Sequence, residues 1–102
     1  MKPPLPVRIV NSASRTIEEV ATWWVTNRTK APDAFAIDLE NALKLIASHP
    51  NIGVPARNIG LAGVRRVHLG RVRYYIYYRV TLEPAVEVLA LWHTSRTEPP
   101  KL

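Results

Sequence analysis

The chain has 102 residues, 47% of them hydrophobic, with 9 prolines, 4 glycines and no cysteine. Those figures fit one globular domain around one modest core, and they exclude a disordered chain, a disulfide scaffold and a thiolate metal site. Fourteen basic against eight acidic side chains give a net charge of +6, which favours an acidic or polyanionic partner.

The opening Met1-Lys2-Pro3-Pro4-Leu5-Pro6 has neither an apolar stretch nor a cleavage site, so no signal peptide is expected. No apolar run approaches the ~18 residues of a membrane span, and a cytoplasmic protein with no membrane partner is the expectation. Leu5 to Val10 reads as a first strand, because Val7, Ile9 and Val10 favour β structure and Pro6 suits a strand start. Asn11-Ser12-Ala13-Ser14 then supplies candidate N-caps. Ile17, Val20, Ala21, Trp24 and Val25 recur at the spacing of one helical face, with Trp23 at its margin. Pro32 fits the first turn of a second helix, whose apolar stripe is Phe35, Leu39, Ala42, Leu43 and Ile46. His49-Pro50 ends it, since the residue before proline disfavours helical geometry. The short connection makes the pair an antiparallel αα-hairpin.

Turn formers from Pro50 to Gly63 predict a loop. Strands follow over Val64 to Leu69, Val72 to Leu82 and Val86 to Trp92, separated by turns at Gly70-Arg71 and Glu83-Pro84. Alternation puts Val67 and Leu69 on one side of the first of these, with Arg66 and His68 on the other. In the next strand, Tyr74, Ile76, Tyr78 and Val80 share one face, while Arg73, Tyr75, Tyr77 and Arg79 share the opposite one. The predicted fold is α+β, in the order β-α-α-β-β-β: an antiparallel sheet with the helical hairpin packed on one face. Residues 1–102 form one domain.

The positive charge is unevenly spread. Residues 41–82 carry Lys44, Arg57, Arg65, Arg66, Arg71, Arg73 and Arg79 and no acid, whereas the flanking segments are neutral or slightly acidic. Arginine supplies a planar fork for phosphate or carboxylate, so this stretch is expected to meet an anionic partner.

Four segments, in this order and spacing, carry a resemblance. They are Pro50-Asn51-Ile52-Gly53-Val54-Pro55, Gly63-Val64-Arg65-Arg66-Val67-His68-Leu69, Arg73-Tyr74-Tyr75-Ile76-Tyr77-Tyr78-Arg79-Val80, and Val88-Leu89-Ala90-Leu91-Trp92-His93-Thr94-Ser95-Arg96. Over residues 7 to 96 the chain resembles the RelE/ParE superfamily of bacterial type II toxins, and within it the ParE-like branch. The resemblance implies a toxin neutralised by a cognate antitoxin, ParD-like or other, in a hetero-oligomeric complex. For ParE-like members it implies DNA gyrase as the target and no catalysis by the toxin itself. For RelE-like members it implies metal-independent cleavage of messenger RNA on the ribosome, and a degenerate, non-toxic member that only partners an antitoxin is a third reading. No cofactor and no metal are expected in either case.

RNA cleavage without a metal needs a base, an acid and cations around the phosphorane. Carried over from RelE-like enzymes, those positions fall on Arg66, His68 and Arg96, with His93 as a second candidate for proton transfer. The third-strand arginine of those enzymes falls here on Tyr75, and their C-terminal helix with its tyrosine has no counterpart after Arg96. For binding an antitoxin or a target, the candidates are Arg65, Arg66, Arg73, Tyr75, Tyr77, Arg79 and Arg96. Aromatics interleaved with arginines suit an acidic peptide groove or stacked bases. Tyrosine is also a good strand former, so Tyr75 and Tyr77 are equally readable as cross-strand packing.

Overall fold

The first strand is shorter than its β-favouring residues suggest, because the chain turns straight from strand into helix. The computed structural model describes residues 3–102; Met1 and Lys2, the start of the segment read above for a signal peptide, lie outside the described residues. Strand β1 (Val7–Ile9) is followed at once by α1 (Asn11–Asn27). The Val10 N–H donates to the Val88 carbonyl while the Val10 carbonyl accepts from Ser14 N–H, so Val10 closes the strand and opens the helix. Val10 is therefore the N-cap, and no side chain from Asn11 to Ser14 caps the helix as expected. Helix α2 (Ala34–Ser48) begins two residues after Pro32, with Asp33 as its N-cap.

Three further strands were anticipated and four are found: β2 (Val54–Pro55), β3 (Arg65–His68), β4 (Tyr74–Val80) and β5 (Val86–His93). The extra one is a two-residue strand inside the expected 50–63 loop, paired antiparallel to β3. The sheet order is β1-β5-β4-β3-β2. Strands β2 to β5 are antiparallel neighbours, but β1 lies parallel to β5, with Val7 opposite Val86. The sheet is thus mixed rather than antiparallel. Side-chain alternation encodes which face a residue occupies, not which way a neighbouring strand runs, so the sequence carried no signal for this pairing.

The helices cover one face. Phe35, Leu39, Ala42 and Ile46 of α2 meet Leu69, Val72, Ile76, Tyr78, Val86, Val88 and Leu91 in the main core. Helix α1 is held less deeply: only Ala13 is buried, Ile17, Val20, Ala21 and Trp24 are half-buried, and Val25 is exposed. Val80, expected on the core face, is also exposed, since it lies at the far end of β4. The opposite face is partly closed by a second cluster. Val64, Tyr77 and Leu89 are buried there beneath Ala56, Ile59, Leu61 and the C-terminal Leu102.

A register shift in β5 decides which residues reach each face. Tyr77 pairs with Ala90 and Tyr78 with Val88, leaving Leu89 as an extra residue on β5. This is a β-bulge, and it changes the strand's parity. Val86 and Val88 point to the helices before it, and Leu91 does so after it. Trp92 consequently emerges on the opposite face.

Tyr78 ties the main core to the β2 loop. Its hydroxyl donates to the Pro50 carbonyl (2.7 Å) and accepts the Gly53 N–H (2.9 Å). A Cβ on Gly53 would lie 2.7 Å from that hydroxyl, so only glycine permits the approach. Burial pushes the Tyr74 and Tyr78 hydroxyls above the ordinary 10.0, although the Gly53 N–H and the Arg65 charge pull Tyr78 back. A raised folded value means that the stabilisation is complete below about pH 10 and is lost as pH climbs through the folded value. Replacing Tyr78 by Phe strands the Gly53 N–H and the Pro50 carbonyl. It should cost about 1–3 kcal/mol at neutral pH by denaturant unfolding and flatten the fall in stability above about pH 10.

Candidate functional site

The open face is built on one rung of the sheet. His68 on β3 lies opposite Tyr75 on β4, which lies opposite Trp92 on β5. The next rung is Arg66, Tyr77 and Ala90. Arg66 reaches diagonally back, placing its guanidinium 4.2 Å from the Tyr75 ring centre. The His68 ring meets the same tyrosine edge to face at 5.4 Å. Beyond β5 the chain turns, with the Arg96 N–H donating to the His93 carbonyl, and Arg96 folds over Trp92 at 4.1 Å. Cations held over aromatic faces in this way are attracted by the ring quadrupole.

Of these residues Arg66, Tyr75, Tyr77, Trp92, His93 and Arg96 line a cleft of about 550 Å³, and His68 stands beside it. Its walls are the β2 segment with Arg57 and Asn58, and the C-terminal stretch Thr97–Pro99. Asn58 has a left-handed backbone (φ 58°), which asparagine tolerates better than most side chains. The tail is fastened by the Trp92 indole N–H, which donates to the Glu98 carbonyl at 2.8 Å. Arg57, Asn58 and the tail were not among the expected site residues. The only sequence signals were the turn-forming Asn58 and the paired prolines Pro99 and Pro100, which keep the tail extended.

Arg66, His68, Tyr75 and Arg96 therefore come together as anticipated, and several other candidates do not. Arg65 alternates to the other side of β3, where its guanidinium donates to the Gly53 carbonyl (2.7 Å) and the Asn51 carbonyl (3.4 Å). It fastens the β2 loop. Tyr77 is only 3% exposed beneath the 56–61 loop, so it meets the cleft only at its floor. Arg79 is bound to Glu87 across β4 and β5 (2.8 Å). Arg73 precedes β4 and lines a separate cavity against α1. The continuous Arg73-Tyr75-Tyr77-Arg79 face expected from alternation is broken in each of these ways.

His93 is parted from His68 by the bulge. Its ring packs edge-on against Tyr74 at 5.0 Å, and its Nδ1 accepts the Ser95 N–H at 3.1 Å. It touches the cleft only at the strand end. The base-and-cation set Arg66, His68, His93 and Arg96 is thus three residues on one face and one on the edge of the other. No hydrogen bond among the described residues orients the His68 imidazole, and among them no group of three or more metal-ligating side chains forms.

A second feature lies on the helical side. Because α1 is only half-sunk, an apolar groove of about 630 Å³ runs between α1 and α2. Leu5, Val7, Ile17, Ala21, Leu39 and Leu43 line it, and Glu40 and Lys44, paired at 3.0 Å, lie along its rim.

Comparison with known proteins settles the family. The family model described as "ParE toxin of type II toxin-antitoxin system, parDE" matches residues 7–98. The chain belongs to the ParE toxin family. It is accordingly the toxin component of a type II toxin–antitoxin system, and membership implies an antitoxin partner. No curated protein matches the sequence. Among solved structures the chain is similar to the "Chromosomal ParDE TA system from P. aeruginosa", with a TM-score of 0.70 and 18% identity over 89% of this chain and 97% of that one. At that identity the likeness shows the shared fold. No helix among the described residues of this ParE-family chain is long and apolar enough to cross a membrane.

The two adjacent arginines of β3 should separate cleanly in a stability measurement. Arg65→Met removes the bonds to Gly53 and Asn51 and should lower unfolding stability by about 1–2 kcal/mol. Arg66→Met removes an open-face cation and should stay within about 0.5 kcal/mol of the parent. Equal losses would contradict the division of roles.

Proposed function

We propose that this ParE-family toxin acts by binding, with DNA gyrase as its target, and that a ParD-like antitoxin silences it in a cytoplasmic toxin–antitoxin complex. The observation that carries the reading is the condition of the open-face cleft. Two of its three guanidinium groups, those of Arg66 and Arg96, rest on Tyr75 and Trp92, and the position that supplies an arginine in RNA-cleaving relatives holds Tyr75 itself. Of the groups there able to transfer a proton, His93 packs against Tyr74 towards the helical side and Glu98 belongs to the tail, while His68 stands beside the cleft against Tyr75 with no hydrogen bond among the described residues to orient it; general acid–base catalysis depends on a positioned pair. Stacked Arg–aromatic pairs are instead the residue types that concentrate binding energy at protein interfaces.

The α1–α2 groove suits the antitoxin. It offers a row of aliphatic side chains at helical spacing, the receptor for the apolar face of an amphipathic segment. The arginines outside it favour an acidic sequence in the same segment. Affinity that rests on the groove falls little with salt, and affinity that rests on the arginines falls steeply.

The two modes of action differ in what single substitutions do. On induction in bacteria, His68→Ala and His93→Ala should each leave growth inhibition largely intact, while Arg96→Ala weakens it. Plasmid supercoiling should drop with transcripts uncut. Messenger RNA cleavage on the ribosome, lowered roughly 10²–10⁴-fold by His68→Ala, would overturn the reading in favour of an endonuclease.

A further inference from the structure

A third cavity shares only His93 with the open-face cleft and nothing with the helical groove. It has a volume of about 610 Å³, within the range of small-molecule sites, and lies at one end of the sheet. The C-terminal half of α1 forms one wall and the turn between β3 and β4 forms the other.

The two walls differ in chemistry. On the turn side, Arg71 and Arg73 present guanidinium groups. Arg71 is fixed in place: Asp38 accepts its backbone N–H at 2.6 Å and its Nε–H and Nη2–H at 3.3 and 3.2 Å. Its side chain is nevertheless 63% exposed, so its remaining N–H groups face outward. Arg73 is exposed and has no carboxylate partner among the described residues. On the helix side, Trp23 and Trp24 stand edge to face at 5.9 Å, with the Arg28 guanidinium over both, 5.2 and 5.6 Å from their ring centres. This is a cationic, polarisable platform of two rings crossed at 75°, and bases stack on aromatic rings and on arginine planes alike. Trp23 is 47% exposed, a large apolar area for a side chain that packs no core.

Glu19 stands on the same helical wall. A carboxylate there repels an acidic peptide, which is the obvious alternative occupant of an arginine-rich cavity. It accepts hydrogen bonds from the amino and imino edge of a base, as carboxylates do from exocyclic amines. Anion-binding forks on one side, a stacking platform on the other and an acceptor beside the platform together describe a ligand with a phosphate at one end and an amine-bearing ring at the other.

We propose that this cavity binds a nucleotide whose base carries an exocyclic amine, guanine above all, with the phosphate on Arg71 and Arg73. The base lies against the Arg28–Trp23–Trp24 platform and gives its N–H edge to Glu19. The site is independent of the toxin's target, and its test needs neither gyrase nor ribosome. The same chemistry is presented by a free nucleotide and by the end of a single strand.

The test is titration of the purified chain, followed by tryptophan fluorescence and by calorimetry. The probes are GMP, UMP, inorganic phosphate, a tetranucleotide with a 5′-phosphoguanosine end and an acidic hexapeptide. Expected are saturable binding of GMP with altered fluorescence, weaker binding of UMP, and no comparable binding of phosphate or peptide. Arg73→Ala should weaken GMP roughly tenfold or more, as loss of a charge-assisted bond predicts. Glu19→Gln should erase the preference for GMP over UMP, and Arg8→Ala, an exposed arginine of β1 outside the cavity, should leave GMP affinity unchanged. Tighter binding of the tetranucleotide than of GMP supports the site and assigns it to a strand end; the reverse supports it and assigns it to the free nucleotide. No saturable binding of either, phosphate or peptide binding as tight as GMP, or GMP affinity lost in Arg8→Ala would overturn the proposal. Arg73 and Trp23 are exposed, so Arg73→Ala and Trp23→Ala retain the fold, and Trp23→Ala with undiminished GMP affinity would also overturn it.

Discussion

The extra residue at Leu89 is the constraint on which both faces of the sheet depend. Strict alternation along β5 would carry Trp92 beneath the helices together with Val86 and Val88. With Leu89 inserted opposite the Tyr77–Tyr78 step, Leu91 takes the helical side and Trp92 stands beside Tyr75. The open-face cleft exists because of that shift. So does the separation of His93 from His68, and with it the weakness of any catalytic constellation built from the two. Bulges placed beside functional surfaces re-aim a few side chains without altering the rest of a strand, and here one bulge sorts the whole C-terminal edge.

Electrostatics sort the remaining surface in a way that a linear charge count cannot show. The seven cations between residues 41 and 82 look like a patch in sequence and form none in space. Lys44, Arg71 and Arg79 meet Glu40, Asp38 and Glu87, all acids from outside that stretch. Arg65 is spent on backbone carbonyls. Among the described cations with no carboxylate partner, Arg57, Arg66 and Arg96 gather around the open cleft and Arg28 and Arg73 around the end cavity. An arginine already bonded to a carboxylate or carbonyl contributes less to attracting a partner than its formal charge suggests, so the local field at these two places matters more than the net +6.

The helices and the β3–β4–β5 meander were legible because their periods are strong. Ile17, Val20, Ala21 and Trp24 mark one turn spacing, and Tyr74, Ile76 and Tyr78 mark the other. The parallel placement of β1 was not legible, since three residues of strand carry no directional signal. Nor was the bulge: Val88-Leu89-Ala90-Leu91-Trp92 is apolar throughout, and a run without polar residues hides a change of parity. At the site, strand alternation correctly joined Arg66 with His68, and the family resemblance correctly placed Arg96 near them. Alternation put Tyr77 on the open face but could not say what covers it, and counting Arg65 among the binding residues overlooked that alternation sets it opposite Arg66. The loop over Tyr77 and the carbonyls around Arg65 come from the 50–63 segment, whose path is set by the Tyr78 hydroxyl and Gly53.

The ParE-family fold carries two distinct surfaces, an open face of stacked Arg–aromatic pairs and an aliphatic groove between half-sunk helices. In the reading proposed above, the groove takes the antitoxin and the open face the target, so that silencing and action would occupy different surfaces of one small domain. The most direct measurement is reconstitution of the purified chain with purified gyrase and relaxed plasmid, alongside purified ribosomes programmed with messenger RNA. The account predicts loss of supercoiling and accumulation of gyrase-linked linear plasmid, with the message intact. Unimpaired supercoiling together with cleaved message would contradict it.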